Sequence, residues 1–404
     1  MLPISDTRDE LLSLVPKNGK IAELGVFKGD FSQKILDTCS PKELILIDLF
    51  PDSKIESGDV DGNNIEWYEG SELFNQVKDK FKLDESVKII KDYTTYLESF
   101  PNEYFDMVYI DADHSYEGCK RDLEVAYQKV KSGGYIMCHD YEVNKDKCKE
   151  EPVFGVNQAV NEFCQEKRLE ISYKGMDGCV TCVIAKRIPL FIISYNRLNT
   201  LKGMVEYLSK EPRVEVIIVD NCSTYPPLLE YLKETPHQVV RMSENFGYKV
   251  IWEQNLLQDV NSRYIISDSD LILDNIPLDW FDKLSEGLEK YPQVAKAGFS
   301  LDIFNLPKEN PLTPQVVQHE QQFWINRADE DFFFSPIDTT FALYRETQKT
   351  HTYSSVRADK PYMAIHEPWQ KTPTTLTEED RYYYSHIQTS THWSQLLQAQ
   401  NLES

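Results

Sequence analysis

Between residues 20 and 141 five short apolar runs, KIAELG, ELILIDLF, SVKIIKDY, FDMVYIDAD and GGYIMCHDY, alternate with longer stretches whose apolar residues recur at helical spacing. Strand-length runs separated by helix-length segments predict βαβ units around a parallel sheet. Helices are expected over 30–38, 71–81 and 116–130; in the last, Cys119, Leu123, Ala126, Tyr127 and Val130 fall near a 3.6-residue period. A further helix over 157–166 precedes LEISYKGMDGCVTCVIAK, which reads as two strands joined by a Gly-containing turn. The expectation for 1–187 is a parallel sheet closed by an antiparallel hairpin.

At Ile188 the pattern restarts with IPLFIISYN, a helix over 197–208, VEVIIVDNCS, a helix near 227–233, HQVVRMSENFG and RYIISDSDLIL. This predicts a second α/β unit, joined through Ala185, Lys186 and Arg187 with no Pro/Gly/Ser-rich linker. Past about Ala295 the periodicity weakens into aromatic and Pro-containing segments, expected to be the less regular half of a domain spanning 188–370. Residues 371–404 are polar and are expected to form a partly mobile extension.

The 404 residues, 41% of them hydrophobic, suffice for two or three domains with real cores. Forty-three basic against 66 acidic residues leave a net charge of −23, which repels the phosphate backbone and argues against nucleic acid as a partner. The first residues lack a basic segment followed by an apolar one, and no run approaches the ~18 apolar residues of a membrane span, so a soluble cytoplasmic protein with no transmembrane segment is expected. Eight scattered cysteines suggest reduced thiols, and the lone Cys179-x-x-Cys182 suits a strand better than a zinc site.

In AELGVFKGDFS the first strand ends at Glu23, and Gly25 and Gly29 open the next helix where backbone must approach a ligand. Asp48, at the end of the second strand, is placed to accept hydrogen bonds from ribose hydroxyls. With IDADHSYEG and GGYIMCHDY at later strand ends, residues 15–185 resemble a class I S-adenosylmethionine-dependent methyltransferase of the sugar and small-molecule O-methyltransferase branch. The resemblance implies a cofactor loop at Glu23, Gly25 and Gly29, a ribose carboxylate at Asp48 and an adenine-flanking segment at Asp92 and Tyr93. It also implies a divalent ion, Mg²⁺, at Asp111 and Asp140, with His114 or His139 as the base that takes the acceptor's proton. The metal pattern of that family continues with Asn where this chain has Tyr141. Asp111, Asp113 and His114 alternatively cap a helix start.

RYIISDSDLILD sets Asp268 and Asp270 just past an apolar strand, one residue apart, as a divalent ion bridging two phosphates requires. Preceded by FIISYNR, VDNCS and SENFG, the pair resembles that of a GT-A-type, inverting family 2-like glycosyltransferase over 188–370. The resemblance implies Tyr195 and Arg197 beside base and phosphates, Asp220 and Asn221 on the nucleobase, and Asn245 and Gly247 near ribose and diphosphate. It implies Asp268 toward the ribose, and Asp268, Asp270 and His366 around Mn²⁺ or Mg²⁺. Asp338 is the candidate base, with Glu320 and Asp331 as competitors. Trp324, Phe332, Phe333, Phe334, Tyr362 and Trp369 are either an acceptor platform or core. The expected whole is a bifunctional enzyme of polysaccharide biosynthesis that takes a nucleotide-sugar donor, a glycan or sugar acceptor and S-adenosylmethionine. The alternatives are a single catalytic domain beside a binding module, or a methyltransferase for a non-sugar small molecule.

Overall fold

The computed structural model describes residues 4–51, 54–57, 66–143, 155–176 and 178–387. The chain divides into two units, Met1–Arg187 and Ile188–Ser404. Among the described residues no helix is long and apolar enough to cross a membrane.

The first unit contains β1 (Ile4–Ser5), α1 (Arg8–Leu11), β2 (Lys20–Leu24), α2 (Asp30–Cys39), β3 (Glu43–Asp48), β4 (Lys54–Ser57), β5 (Glu66–Glu69), α3 (Gly70–Phe81) and β6 (Val87–Lys91). It continues with β7 (Phe105–Ile110), α4 (Tyr116–Lys129), β8 (Val130–Val143), α5 (Val156–Lys167), β9 (Ile171–Gly175) and β10 (Cys179–Ala185). Its sheet runs β1-β9-β10-β8-β7-β2-β3-β6, parallel from β8 to β6, with β10 antiparallel to both β8 and β9. This is a Rossmann-like α/β sheet closed by a hairpin. Successive residues of β3 enter different apolar clusters, Ile45 and Ile47 one and Leu44 and Leu46 the other, so both faces are covered and the strand is apolar throughout. The strand order reverses between β2 and β7, and such a switch opens a crevice at the carboxyl ends of those strands. Cys182 lies buried opposite Cys138 on β8, as a strand residue should; Cys148 and the turn residue Asp177 lie outside the described residues.

The second unit contains β11 (Ile188–Ser194), α6 (Asn199–Leu208), β12 (Val214–Asp220), α7 (Pro226–Glu234), β13 (Gln238–Arg241), α8 (Val250–Glu253), β14 (Tyr264–Asp268), β15 (Leu271–Ile272) and α9 (Trp280–Lys290). Then follow β16 (Lys296–Leu301), α10 (Thr313–Glu320), β17 (Phe332–Phe334), β18 (Phe341–Tyr344), β19 (Ser355–His366) and α11 (Glu378–His386). The sheet runs β13-β12-β11-β14-β18-β16-β19-β15, with β17 also on β19. Strands β13, β12, β11 and β14 are parallel, β18 is antiparallel to both β14 and β16, and the order reverses between β11 and β14. The segment past Ala295 is thus more regular than its pattern predicts. All six residues of β16 are buried, so no polar alternation marks it as a strand.

The extension expected from 371 is also corrected over its described part. Thr377 caps α11 in a reciprocal box with Asp380, and Glu379, Asp380 and Tyr384 are buried within the unit. Residues 388–404 lie outside the described residues.

Candidate active sites

At the first switch point Glu23 is 1% exposed and accepts a hydrogen bond from the Ser32 hydroxyl on α2. Burial pushes its carboxyl up to about 8, against the opposing pull of Ser32 and Arg8. Gly25 has φ +86°, and a Cβ there would stand 1.9 Å from the Asp111 carbonyl oxygen. Its small size is therefore demanded by the backbone following β7 as well as by any ligand. Gly29, at φ +70°, occupies the N-cap position of α2. Asp48 Oδ2 accepts the Val26 and Phe27 amides at 2.7 and 3.0 Å, and Oδ1 accepts the Phe50 amide at 2.8 Å. The expected ribose carboxylate thus also fixes the backbone of the Gly-bearing loop. Asp92 follows β6 with its amide on the Asp48 carbonyl, and Tyr93 beside it is 66% exposed.

Across the crevice, Asp111, His139 and Asp140 offer ligand atoms all within 4.8 Å of one another, the only such set of three or more His, Cys, Asp or Glu among the described residues. The Thr181 hydroxyl lies 2.9 Å from His139 Nδ1 and orients the ring, as an outer partner does for a metal-bound imidazole. Two carboxylates and an imidazole suit a divalent cation. His114 Nε2 lies 2.9 Å from Asp140 Oδ2 and 3.4 Å from Asp111 Oδ1, and these hydrogen bonds, Asp111 first, raise the imidazole to about 10. Such a ring holds its proton at neutral pH as long as the two carboxylates carry no cation. The helix cap is separate: Ser115 caps α4, and Asp113 accepts the Ser115 amide. The sequence gives no signal for Arg8, whose Nη1 lies 3.0 Å from the Tyr109 hydroxyl and 3.5 Å from Asp111 Oδ2.

Residues 22–141, which span from β2 into β8 and hold every crevice residue just described except Arg8 and Thr181, match the family model described as a methyltransferase domain. The N-terminal unit is a class I S-adenosylmethionine-dependent methyltransferase domain. Solved structures similar to part of the chain include Aeropyrum pernix fibrillarin in complex with S-adenosylmethionine (13% identity, 42% of this chain and 67% of that one, TM-score 0.31). Others are a methyltransferase from Aquifex aeolicus (14%, 44% and 89%, TM-score 0.32) and an O-methyltransferase from Bacillus cereus in complex with S-adenosylhomocysteine (15%, 44% and 77%, TM-score 0.31). A search of curated proteins finds no match. In the methyltransferase domain the residues expected to form the cofactor loop and the acid–histidine cluster occupy the ends of neighbouring strands β2 and β7 and the adjoining β8, where ligands bind in open parallel α/β sheets.

The second unit has its own crevice, a cleft of about 620 Å³ at the β11/β14 switch. Tyr195, Arg197, Asn221, Asn245, Gly247, Asp268 and Asp270 all line it, together with Lys249 and Tyr383, which the sequence did not single out. Asp220 is buried, with Oδ1 on the Ser223 amide and Oδ2 without a hydrogen bond. Asn221 is committed to the loop rather than open to a base: its Nδ2 donates to Asn245 Oδ1 and the Gly247 carbonyl at 2.8 and 3.0 Å. Arg197 is 3% exposed and ion-paired with Glu367 and Asp380 at 3.2 and 3.5 Å, under the Tyr383 ring. The Tyr195 hydroxyl donates to the His386 carbonyl at the end of α11.

The pairing of β15 with β19 sets Leu271 opposite His366, which brings His366 Nε2 to 3.5 Å from Asp270 Oδ2. Asp270 Oδ1 and His366 Nδ1 are buried without hydrogen-bond partners. Asp268 stands apart from that pair, accepting the Thr339 hydroxyl at 2.9 Å, so the three do not form one compact ligand set. Burial, then the charges of Asp270 and Asp338, raise Asp268 well above the carboxylate range, a repulsion that a bound cation would relieve.

A second cavity of about 340 Å³ shares Arg197, Asp270 and Tyr383 with this cleft and is also lined by Glu320, His366 and Trp369. Asp338 is among the lining residues of neither; its Oδ1 is held by the amide and hydroxyl of Thr340. Asp331 is on the surface, paired with Lys283 at 3.0 Å. Of the aromatic residues, Phe332 and Phe333 are buried core and Phe334 packs against it, while Tyr362 donates to Asp279 and Trp324 packs on Phe304 and Phe333. Trp369 lines the smaller cavity.

Proposed function

We propose that this chain is a bifunctional, cytoplasmic glycan-building enzyme, in which the methyltransferase domain O-methylates a sugar hydroxyl and the C-terminal unit is a metal-dependent, inverting GT-A glycosyltransferase. The observation that carries the second half is Asp270 beside His366, each with an unpartnered buried polar atom, with Asp270 lining a nucleotide-sized cleft. Asp270 and His366 would hold Mn²⁺ or Mg²⁺, with Asp268 on the ribose side; such an ion offsets charge on a departing diphosphate. Tyr195, Asp220 and the Asn245–Gly247 loop, tied down by Asn221, would bind the nucleoside, and Arg197 would fix the cleft wall.

In the methyltransferase domain, Glu23, Gly25, Gly29, Asp48, Asp92 and Tyr93 would surround S-adenosylmethionine. Asp111, His139 and Asp140 would hold a divalent ion, which when bound polarises the acceptor hydroxyl. With its two carboxylate partners neutralised by that ion, His114 would lose its own proton and be able to take the acceptor's. Covalent linkage keeps the product of one site at high local concentration near the other.

The test is nucleoside diphosphate release from UDP-, GDP- and dTDP-sugars with and without Mn²⁺, beside Asp270→Ala, followed by methylation of the product. The expected result is metal-dependent release from one donor, lowered at least ~100-fold in the variant. Metal-independent release, or full activity in Asp270→Ala, contradicts the assignment. No release from any donor, with methylation of a small molecule intact, favours the reading of a methyltransferase joined to a binding module.

A further inference from the structure

The cleft and the smaller cavity meet at Asp270, Arg197 and Tyr383. Sugar transfer needs this arrangement, with the leaving diphosphate on one side of a single carbon and the attacking hydroxyl on the other. Besides Asp270, the one carboxylate lining the smaller cavity is Glu320, the last residue of α10 and 5% exposed. Arg357 Nη1 holds Glu320 Oε2 at 3.1 Å, and Arg357 is itself fixed by the Pro336 carbonyl, at 2.9 Å from Nε and 2.7 Å from Nη2. The other oxygen, Oε1, has His319 Nε2 as its ion-pair neighbour at 3.9 Å, beyond hydrogen-bond reach. Leu312, Val316, Pro368 and Trp369 give this cavity an apolar wall, suited to the C–H face of a pyranose.

We propose that Glu320, rather than Asp338, is the base of the glycosyl transfer, and that the smaller cavity receives a sugar acceptor lying against Trp369. The assignment rests on the glycosyltransferase reading. In the step, the acceptor's O–H proton passes to Glu320 Oε1 and the acceptor oxygen forms its bond to the anomeric carbon. The bond from that carbon to the nucleoside diphosphate breaks with its electron pair leaving on the diphosphate, and the configuration inverts. Arg357 is a positioning residue that keeps Oε1 turned to the cavity.

The experiment compares Glu320→Gln and Asp338→Asn in the full chain, with the UDP-, GDP- and dTDP-sugar panel and with water or azide as the nucleophile. Glutamine retains a carbonyl for Arg357, and calorimetric donor binding reports whether the cleft is intact. Expected is unchanged donor binding in Glu320→Gln, release to water lowered at least ~100-fold, and recovery in azide to within about tenfold with glycosyl azide as product, because azide brings no proton to remove. Asp338→Asn keeps its release to water. Unimpaired release in Glu320→Gln, failure of azide to restore it, or lost donor binding in that variant overturns the assignment, as does a loss confined to Asp338→Asn. Absence of release from every donor by the unaltered protein overturns the glycosyltransferase reading and the assignment with it.

Discussion

Glu23 shows how a single residue carries both a pattern and a fold-dependent property. Its place at a strand end before Gly25 is local and visible in the sequence, whereas its carboxyl is shifted to about 8 by burial that only the assembled sheet supplies. Between about pH 4.5 and 8 the unfolded chain has released this proton while the folded domain still holds it, so stability falls as pH rises through that window. Glu23→Gln removes that loss. Urea unfolding at pH 5 and pH 8 is expected to show the variant gaining on the unaltered domain by roughly 4 kcal/mol at the higher pH. Equal pH dependence in the two proteins would refute it. Gly25 teaches the same lesson: the sequence marks a position where no side chain fits, and the structure identifies the obstacle as the Asp111 carbonyl.

At the scale of elements, amphipathic helices and apolar parallel strands announce themselves, but fully buried strands and short capped helices do not. β16 has no alternation because every residue is buried, and α11 is dominated by polar and tyrosine residues. That helix is tied down by contacts from far along the chain, Tyr195 and Thr224 bonding to it and Arg197 pairing with Asp380. Its local anchor is the Thr377–Asp380 box. Thr377→Ala is expected to cost about 1 kcal/mol locally. Hydrogen exchange should then speed up across 378–386 and stay unchanged in the methyltransferase domain; unaltered protection of 378–386 would show that the cap contributes nothing.

For the whole molecule, two sheets each with its own switch point offer two candidate crevices, and the proposed function gives each its own ligand. A ligand that binds only folded protein stabilises its own unit, by about 2.7 kcal/mol at a hundredfold excess over Kd. Calorimetry of the full chain should therefore show S-adenosylhomocysteine raising one unfolding transition, and the nucleoside diphosphate of the productive donor with Mn²⁺ raising the other. Both ligands shifting the same transition would contradict this division of sites.

The sequence alone determined the main alternation of strands and helices up to about residue 273 and the acids at their ends, because apolar periodicity and the placement of ligands at the carboxyl ends of parallel strands are local properties. The tertiary structure decided which of those residues meet. The β15–β19 register joins Asp270 to His366, α10 carries Glu320 to a cavity wall, and α1 brings Arg8 to Asp111. These contacts depend on strand register and crossover between distant segments, and no spacing along the chain encodes them.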